Sequence, residues 1–312
     1  MMAGAEPMRL TVGQDAGSDR LRFVARFINA LVLDRLTRWP AALGVDAADA
    51  LLVQMTRALS LPALRTTGPA APQPIAVPLA AMAQASGLSY ETARRRAARL
   101  RVAGLLQQRD DGFLVPPAVT LLGAGAAEVE KDRTALLTML VTMEAQGLRI
   151  ATAARAAQEG DPARVSRLDL DVTTRWIEEV VAFDDGVVPA MIRLAIAHAN
   201  TRHLLDDPAL SLRYAHQHRP LPDDARRPTG PRAIARDTRL PFETVRRHVA
   251  ALLAAGTLSH AGGGVILPAR ELMSERHVEH QRRLIAPFRR LLDELAALGA
   301  EKGATSGSDA PN

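Results

Sequence analysis

Hydrophobic residues recur at helical spacing through most of the chain. Residues 19–39 and 168–183 read as amphipathic helices, and each is followed by a second apolar segment, 48–59 and 188–204. Two longer helical patterns lie at 126–147 and 271–299. In them Leu136, Leu137, Leu140 and Met143, and later Leu284, Ile285, Phe288, Leu291, Leu292 and Leu295, form one apolar stripe each. Between these come four short apolar-bearing runs, 105–109 with 113–115 and 258–260 with 265–267. They flank Asp110–Asp111–Gly112 and Gly262–Gly263–Gly264, which are hairpin turns by composition. Residues 205–231, rich in Pro, Asp and Arg, read as a loop. Residues 304–312 read as a disordered tail.

The pattern repeats. Residues 81–116 align without a gap on 233–268, with fourteen of thirty-six positions identical. Leu88, Glu91, Thr92, Arg94, Arg95, Gly104, Gly112 and Pro116 are among them, each matched 152 residues later. This exceeds what an Ala-rich composition gives by chance. With the flanking helices, the chain divides into two homologous halves, 10–160 and 161–303, with repeated cores at about 77–116 and 231–268.

Each core has a legible plan. In the first, 77–86 is a short helix and Gly87–Leu88–Ser89 a turn. Gly87 suits a left-handed helix end, and Ser89 suits the N-cap of the next helix. That helix, 90–103, buries Ala93, Ala97 and Leu100 on one face, and Gly104 stops it. In the second, 231–238 is the first helix, and Pro241 is tolerated at the start of 242–255. Val245, Val249 and Leu252 are its buried face, and Gly256 ends it. Helix, tight turn, helix and β-hairpin make a winged helix-turn-helix.

The run 87–106, GLSYETARRRAARLRVAGLL, resembles the helix-turn-helix of bacterial winged-helix transcriptional regulators of the GntR and MarR type. The second copy matches through Thr244, Val245, Arg247, Leu252, Gly256 and Leu258. The resemblance covers the two cores and leaves the other helices unassigned. It implies a mainly α protein with two tandem winged helix-turn-helix units flanked by long helices. Each half is similar to one MarR-type subunit, so the chain is similar to a pseudo-two-fold fused dimer. The function implied is a cytoplasmic transcriptional regulator that binds double-stranded DNA. A homodimer through the long helices and an unidentified small-molecule effector are compatible further partners. In GntR-type proteins the positions matching Tyr90, Thr92 and Arg94 lie against DNA. Tyr90 and Phe242 stand where a base-reading Arg is common there, which implies a different half-site.

The residues offered to DNA follow from the exposed face of each second helix. The first presents Ser89, Tyr90, Glu91, Thr92, Arg94, Arg95, Arg96 and Arg99; the second presents Phe242, Glu243, Thr244, Arg246, Arg247 and His248. The planar Arg fork suits phosphate and guanine, Thr a phosphate or a thymine methyl, and Glu a cytosine amino group. An Arg run on a helix is ordinarily a solvated face. Its recurrence in the N-terminal half of both helices, with Glu-Thr-x-Arg-Arg kept, favours DNA contact. For Tyr90 and Phe242, packing beside the turn is an open alternative.

Composition sharpens this reading. Aromatics are only 3% of the chain, which argues against base-stacking platforms, and Cys is absent, which removes disulfides and thiolate chemistry. The net charge of +5 is local: residues 81–116 carry +3 and 226–268 carry +5, leaving −3 elsewhere. Arg226, Arg227, Arg232 and Arg236 are candidate phosphate contacts beside the second core. The acidic tip Asp110–Asp111 should avoid phosphate, whereas the Gly tip can approach it. Residues 1–13 lack the basic-then-apolar pattern of an export signal, and no segment reads as membrane-spanning.

No catalytic motif, cofactor or metal site is expected. His216 and His218 lie in a loop without a carboxylate partner motif, and His198 and His203 lack metal-ligand spacing. His277 and His280 read as solvated. Trp39 and Trp176 read as core anchors that could line an effector pocket. Two other readings compete: a plasmid-type replication initiator, which also uses tandem winged helices, and a winged-helix protein-interaction scaffold. Copies serving as a scaffold should lack basic recognition helices.

Overall fold

The computed structural model describes residues 20–61, 74–121 and 123–307. Chain order begins with α1 (Leu21–Leu43) and α2 (Ala47–Ser60), joined at Gly44 in the left-handed conformation. Asp46 caps α2 by accepting from the Asp49 N–H at 2.9 Å, as a short acidic side chain at an N-cap should. There follow α3 (Leu79–Ser86), α4 (Tyr90–Val102), β1 (Gln107–Arg109) and β2 (Gly112–Leu114). Next come α5 (Pro117–Leu121), α6 (Gly123–Ala145) and α7 (Ala151–Glu159).

The second half repeats this order. It runs α8 (Pro162–Phe183), α9 (Val187–Thr201), α10 (Pro208–Arg213), α11 (Pro231–Thr238), α12 (Phe242–Ala254), β3 (Ser259–Ala261) and β4 (Gly264–Ile266). It closes with α13 (Ala269–Leu272) and α14 (Glu275–Gly307). The fold is mainly α, with two small two-stranded antiparallel sheets. Among the described residues no helix is long and apolar enough to cross a membrane. The export-signal reading of residues 1–13 lies outside the described residues.

Three differences from the sequence expectation have local causes. The stretch 205–231 is not wholly loop: Asp207 caps the short α10 and Pro208 opens it. Helix α14 continues to Gly307, into the expected tail; residues 308–312 lie outside the described residues. Val77, read as helical, instead forms an antiparallel bridge with Phe113, and Thr229 does the same with Val265. Each hairpin therefore has a third extended partner.

These bridges extend the repeat beyond its recognisable sequence. Val77/Phe113 and Thr229/Val265 are the same pair 152 residues apart, with mutual backbone hydrogen bonds of 2.8–3.1 Å. The Ile75 N–H donates to Ser60 and the Arg227 N–H to Asn200, again at equivalent places. The identities at Gly112 and Gly264 have a second reason. A Cβ at Gly112 would sit 2.3 Å from the Val77 carbonyl oxygen, and one at Gly264 2.8 Å from that of Thr229. Close approach of the third strand, as well as turn formation, demands glycine there.

The core sits where the long helices cross. Helix α1 packs on α6 and also on α14, while α8 packs on α14 and also on α6. Each half's first helix thus touches the long helix that follows the other half's hairpin. One apolar cluster runs through Phe23, Ile28, Leu136, Leu140, Trp176 and Phe288 and continues into the second core at Ile234, Val245 and Val265. The first core keeps a separate cluster, with Leu52, Met82, Ala97, Leu100 and Leu106. Both Trp side chains are buried. Trp39 donates to Asp132 and Trp176 to the Leu284 carbonyl, each at 2.9 Å.

Candidate nucleic-acid interface

The two second helices, α4 and α12, are amphipathic by construction. Ala93, Ala97 and Leu100 face inward in α4, and Val245 and Val249 do so in α12. The opposite face is left to solvent. Ser89 caps α4: its hydroxyl accepts from the Thr92 N–H at 3.3 Å and lies 2.8 Å from the Thr92 hydroxyl. Pro241 replaces it in α12 and gives no side-chain cap. The turns match in geometry, because Gly87 (φ +64°) and Arg239 (φ +57°) are both left-handed. Arg239 adopts that conformation at a steric cost that Gly87 avoids.

The structure places every expected contact residue on these faces, but not in equal states. Glu91, Arg94, Arg95 and Arg99 are exposed, as are Glu243, Arg246 and Arg247. Thr92, Thr244, Arg96 and His248 are half-buried. Tyr90 (56% exposed) and Phe242 (43%) project from the first turns, so neither is packed away beside the turn.

Arg94 grips Glu91 with two hydrogen bonds of 2.9 and 2.8 Å, and Arg246 grips Glu243 at 2.9 and 2.5 Å. Each pair lowers the pKa of its Glu and raises that of its Arg, chiefly through the side-chain hydrogen bond. Such solvent-exposed i,i+3 pairs are weak and exchange readily for a phosphate. His248 Nδ1 lies 2.9 Å from the Thr244 carbonyl oxygen, which directs the ring along its own helix.

Sequence reasoning missed the state of Arg96 and Arg99. Arg96 contacts Asp46 at 2.8 Å and Asp49 at 2.7 Å. Arg99 pairs with Asp49, and with Asp46 at 3.5 Å. Asp49 is buried and Asp46 is the α2 cap, so this clamp holds α4 to α2. The two acids also offset most of the +3 assigned to residues 81–116. No local signal marks this, since the partners lie about fifty residues away along the chain. Arg95, Arg101 and Arg109 are exposed without a carboxylate partner among the described residues.

The second core is differently charged. Gly186 and Pro189 occupy the places of Asp46 and Asp49, so no acidic clamp forms there. Exposed Arg227, Arg232, Arg239 and Arg247 have no carboxylate partner among the described residues. Arg236 pairs with Asp237 at 2.9 Å. Arg226 does not fit as a phosphate contact: it is buried, bonded to the Leu221 carbonyl at 2.7 Å and to Asp223 at 3.3 Å.

A buried amide fixes the second hairpin. Asn200 on α9 donates to the carbonyls of Arg227 (2.8 Å) and Val265 (3.3 Å) and accepts from the Leu267 N–H (2.8 Å). Ser60 stands at the matching place on α2, and among the described residues its hydroxyl bonds only within its own helix, to the Arg57 carbonyl.

The histidines expected in solvent are corrected. His277 and His280 are buried on α14, because the second half packs Phe183 and Arg193 over them: Phe183 stacks on His280 at 4.1 Å. Among the described residues no three His, Asp or Glu groups converge as a metal site. No protein-family model, curated protein or solved structure matches this chain.

Proposed function

We propose that the chain is a transcriptional regulator that binds duplex DNA through two winged helix-turn-helix units related by a pseudo-two-fold axis. One observation carries this reading. The same helix, turn, helix and three-partner hairpin occurs twice, each time with Glu-Thr-x-Arg-Arg on the exposed face of the second helix. An exposed cationic face on the second helix suits the major groove, and a hairpin beside it suits flanking backbone. The reciprocal packing of α1 on α14 and α8 on α6 supports the pseudo-dimer. The two units differ at Ser89/Pro241, Arg96/His248 and Arg99/Ala251, so two related but unequal half-sites follow.

Fluorescence anisotropy with random duplex DNA at low salt tests this. Binding that weakens steeply with salt is expected, and no binding overturns it. Arg94→Ala and Arg246→Ala should each weaken binding about tenfold to a hundredfold where the Arg contacts a base. Selection from a random duplex pool then separates promoter-like sites from iterated, origin-like ones.

A further inference from the structure

Two cavities lie at partly overlapping places in the two halves. The stretches 21–60 and 161–200 align at an offset of 140 residues, which pairs the cap positions 46 and 186 and the anchors Ser60 and Asn200. By these offsets Ser166, Asp169, Gln54 and Asp132 of the first cavity correspond to Arg26, Asn29, Leu194 and Leu284 of the second. Where the two hollows share positions, their chemistry differs.

The first cavity is electrically self-contained. Arg35 pairs with Asp169 at 2.7 Å and with Asp132 at 3.4 Å, and Arg57 lies beside Trp39 under the same two acids. Two guanidinium groups face two carboxylates.

The second cavity is not. It is a hollow of about 70 Å³, partly open to solvent, and no Asp or Glu among the described residues lines it. Four Arg residues do: Arg22, Arg26, Arg193 and Arg226. Arg193 is matched by Asp184 at 2.5 Å and Arg226 by Asp223. Among the described residues Arg22 and Arg26 have only the carbonyls of Gln217, Leu272, Tyr214 and Ser211, the Ser211 hydroxyl and the Met273 sulfur. A buried Arg22 and a half-buried Arg26 thus stand together without a counter-charge among the described residues, an arrangement that an anion would complete. Burial draws Arg26 down to about 9 and Arg22 to about 10, with mutual repulsion among the Arg residues adding to the effect.

Unmet hydrogen-bonding capacity points the same way. Arg26 Nε, a donor, and His277 Nδ1 are buried without partners and both side chains line this cavity; the amide oxygens of Asn29 and Gln281, also unpartnered there, are acceptors and do not hold the anionic group. The rest of the wall is apolar, with Leu194, Leu204, Leu221, Leu267, Leu272 and Leu284. A bare inorganic anion would leave that wall uncovered.

We propose that the second cavity binds a small organic carboxylate, its anionic group between Arg22 and Arg26 and its hydrocarbon body against the leucines. Because α9, Arg226 and Leu267 belong to the second unit and its support, the occupant bridges that unit to α1 and α14. The first cavity, already neutral, takes no such ligand.

Thermal unfolding of the full chain at constant ionic strength tests this. The probes are benzoate and octanoate, their uncharged counterparts benzamide and octanamide, and sodium phosphate. One carboxylate or both should raise Tm by roughly 2–4 °C at tenfold excess over Kd, and the amides should not. Arg26→Gln should abolish the shift. If that variant does not fold, Leu272→Trp, which fills the cavity and keeps both Arg residues, should abolish it instead. An equal shift with amides, a shift with phosphate alone, no shift with either carboxylate, or a shift surviving Leu272→Trp overturns the proposal. The measurement contains no DNA, so its outcome is independent of the DNA-binding reading.

Discussion

The two repeated cores, 77–116 and 231–268, share a backbone plan and differ in how they are held. The first keeps its own small apolar cluster and is fastened to α2 by an ionic clamp, Asp46 and Asp49 against Arg96 and Arg99. The second is continuous with the main core and is fastened by a neutral amide, Asn200. The clamp consumes cationic side chains that would otherwise stand free on the exposed face of α4, and the amide consumes none. A repeat can therefore preserve a fold while moving one copy's charge from the surface into its own support.

Breaking the neutral anchor should have the largest effect. Asn200→Ala removes three hydrogen bonds at a fully buried site and leaves the Arg227, Val265 and Leu267 backbone groups short of partners. A loss of about 3 kcal/mol in urea-induced unfolding is expected. Ser60→Ala at the matching place loses one bond within a helix, and should cost no more than about 1 kcal/mol. Equal losses would show that the two anchors are not different in kind.

Acid should separate the halves next. Burial, helped by Arg193, holds His277 at about 2 and His280 at about 3. Both pKa values are depressed on folding, so the neutral rings contribute stability that is complete above the unfolded value of 6.5. It is lost as pH falls from there toward 3. At pH 5.5 each should cost about 1.4 kcal/mol relative to neutral pH. The first half carries Gly125 and Glu128 at those positions. Hydrogen exchange at pH 5.5 should therefore open α14 and α9 before α2 and α6. His280→Gln should reduce the pH dependence of unfolding by one proton.

Releasing the clamp should make the first unit more like the second. Asp49→Asn weakens the hold on Arg96 and Arg99, and duplex affinity at low salt should rise several-fold. The salt slope should steepen by roughly 1 for each additional phosphate that the freed Arg side chains neutralise. Unchanged affinity would place α4 away from the DNA. The smallest effect belongs to the hairpin tips. Asp110→Asn with Asp111→Asn should raise affinity by about twofold to threefold by removing like-charge repulsion from phosphate.

Much of the backbone was legible in the sequence. The three-and-four spacing of Leu136, Leu140 and Met143 marks α6, Gly87 and Ser89 mark the turn into α4, and the 152-residue offset marks the second unit. Those signals are local, or compare one stretch with another. The burial of His277 and His280 was not legible, because the stripe on α14 fixes which face is apolar and says nothing about what covers its polar positions. Arg226 misled for the same reason: within its own segment it looks like a basic flank, yet it is buried, bonded to the Leu221 carbonyl and Asp223, in the wall of the cavity it shares with α1 and α14.

By itself the sequence determined the duplication, the order of helices and hairpins, and the cationic face of α4 and α12. Each of these follows from periodicity, capping and composition within some thirty residues. Tertiary structure alone decided which Arg residues remain free, which hollow is neutral and which is charged, and that each half completes its core with the long helix that follows the other's hairpin. Charge balance and burial belong to surfaces that meet across the chain. Asp49 against Arg99, or Arg22 and Arg26 without an acid, cannot be read until those surfaces are brought together.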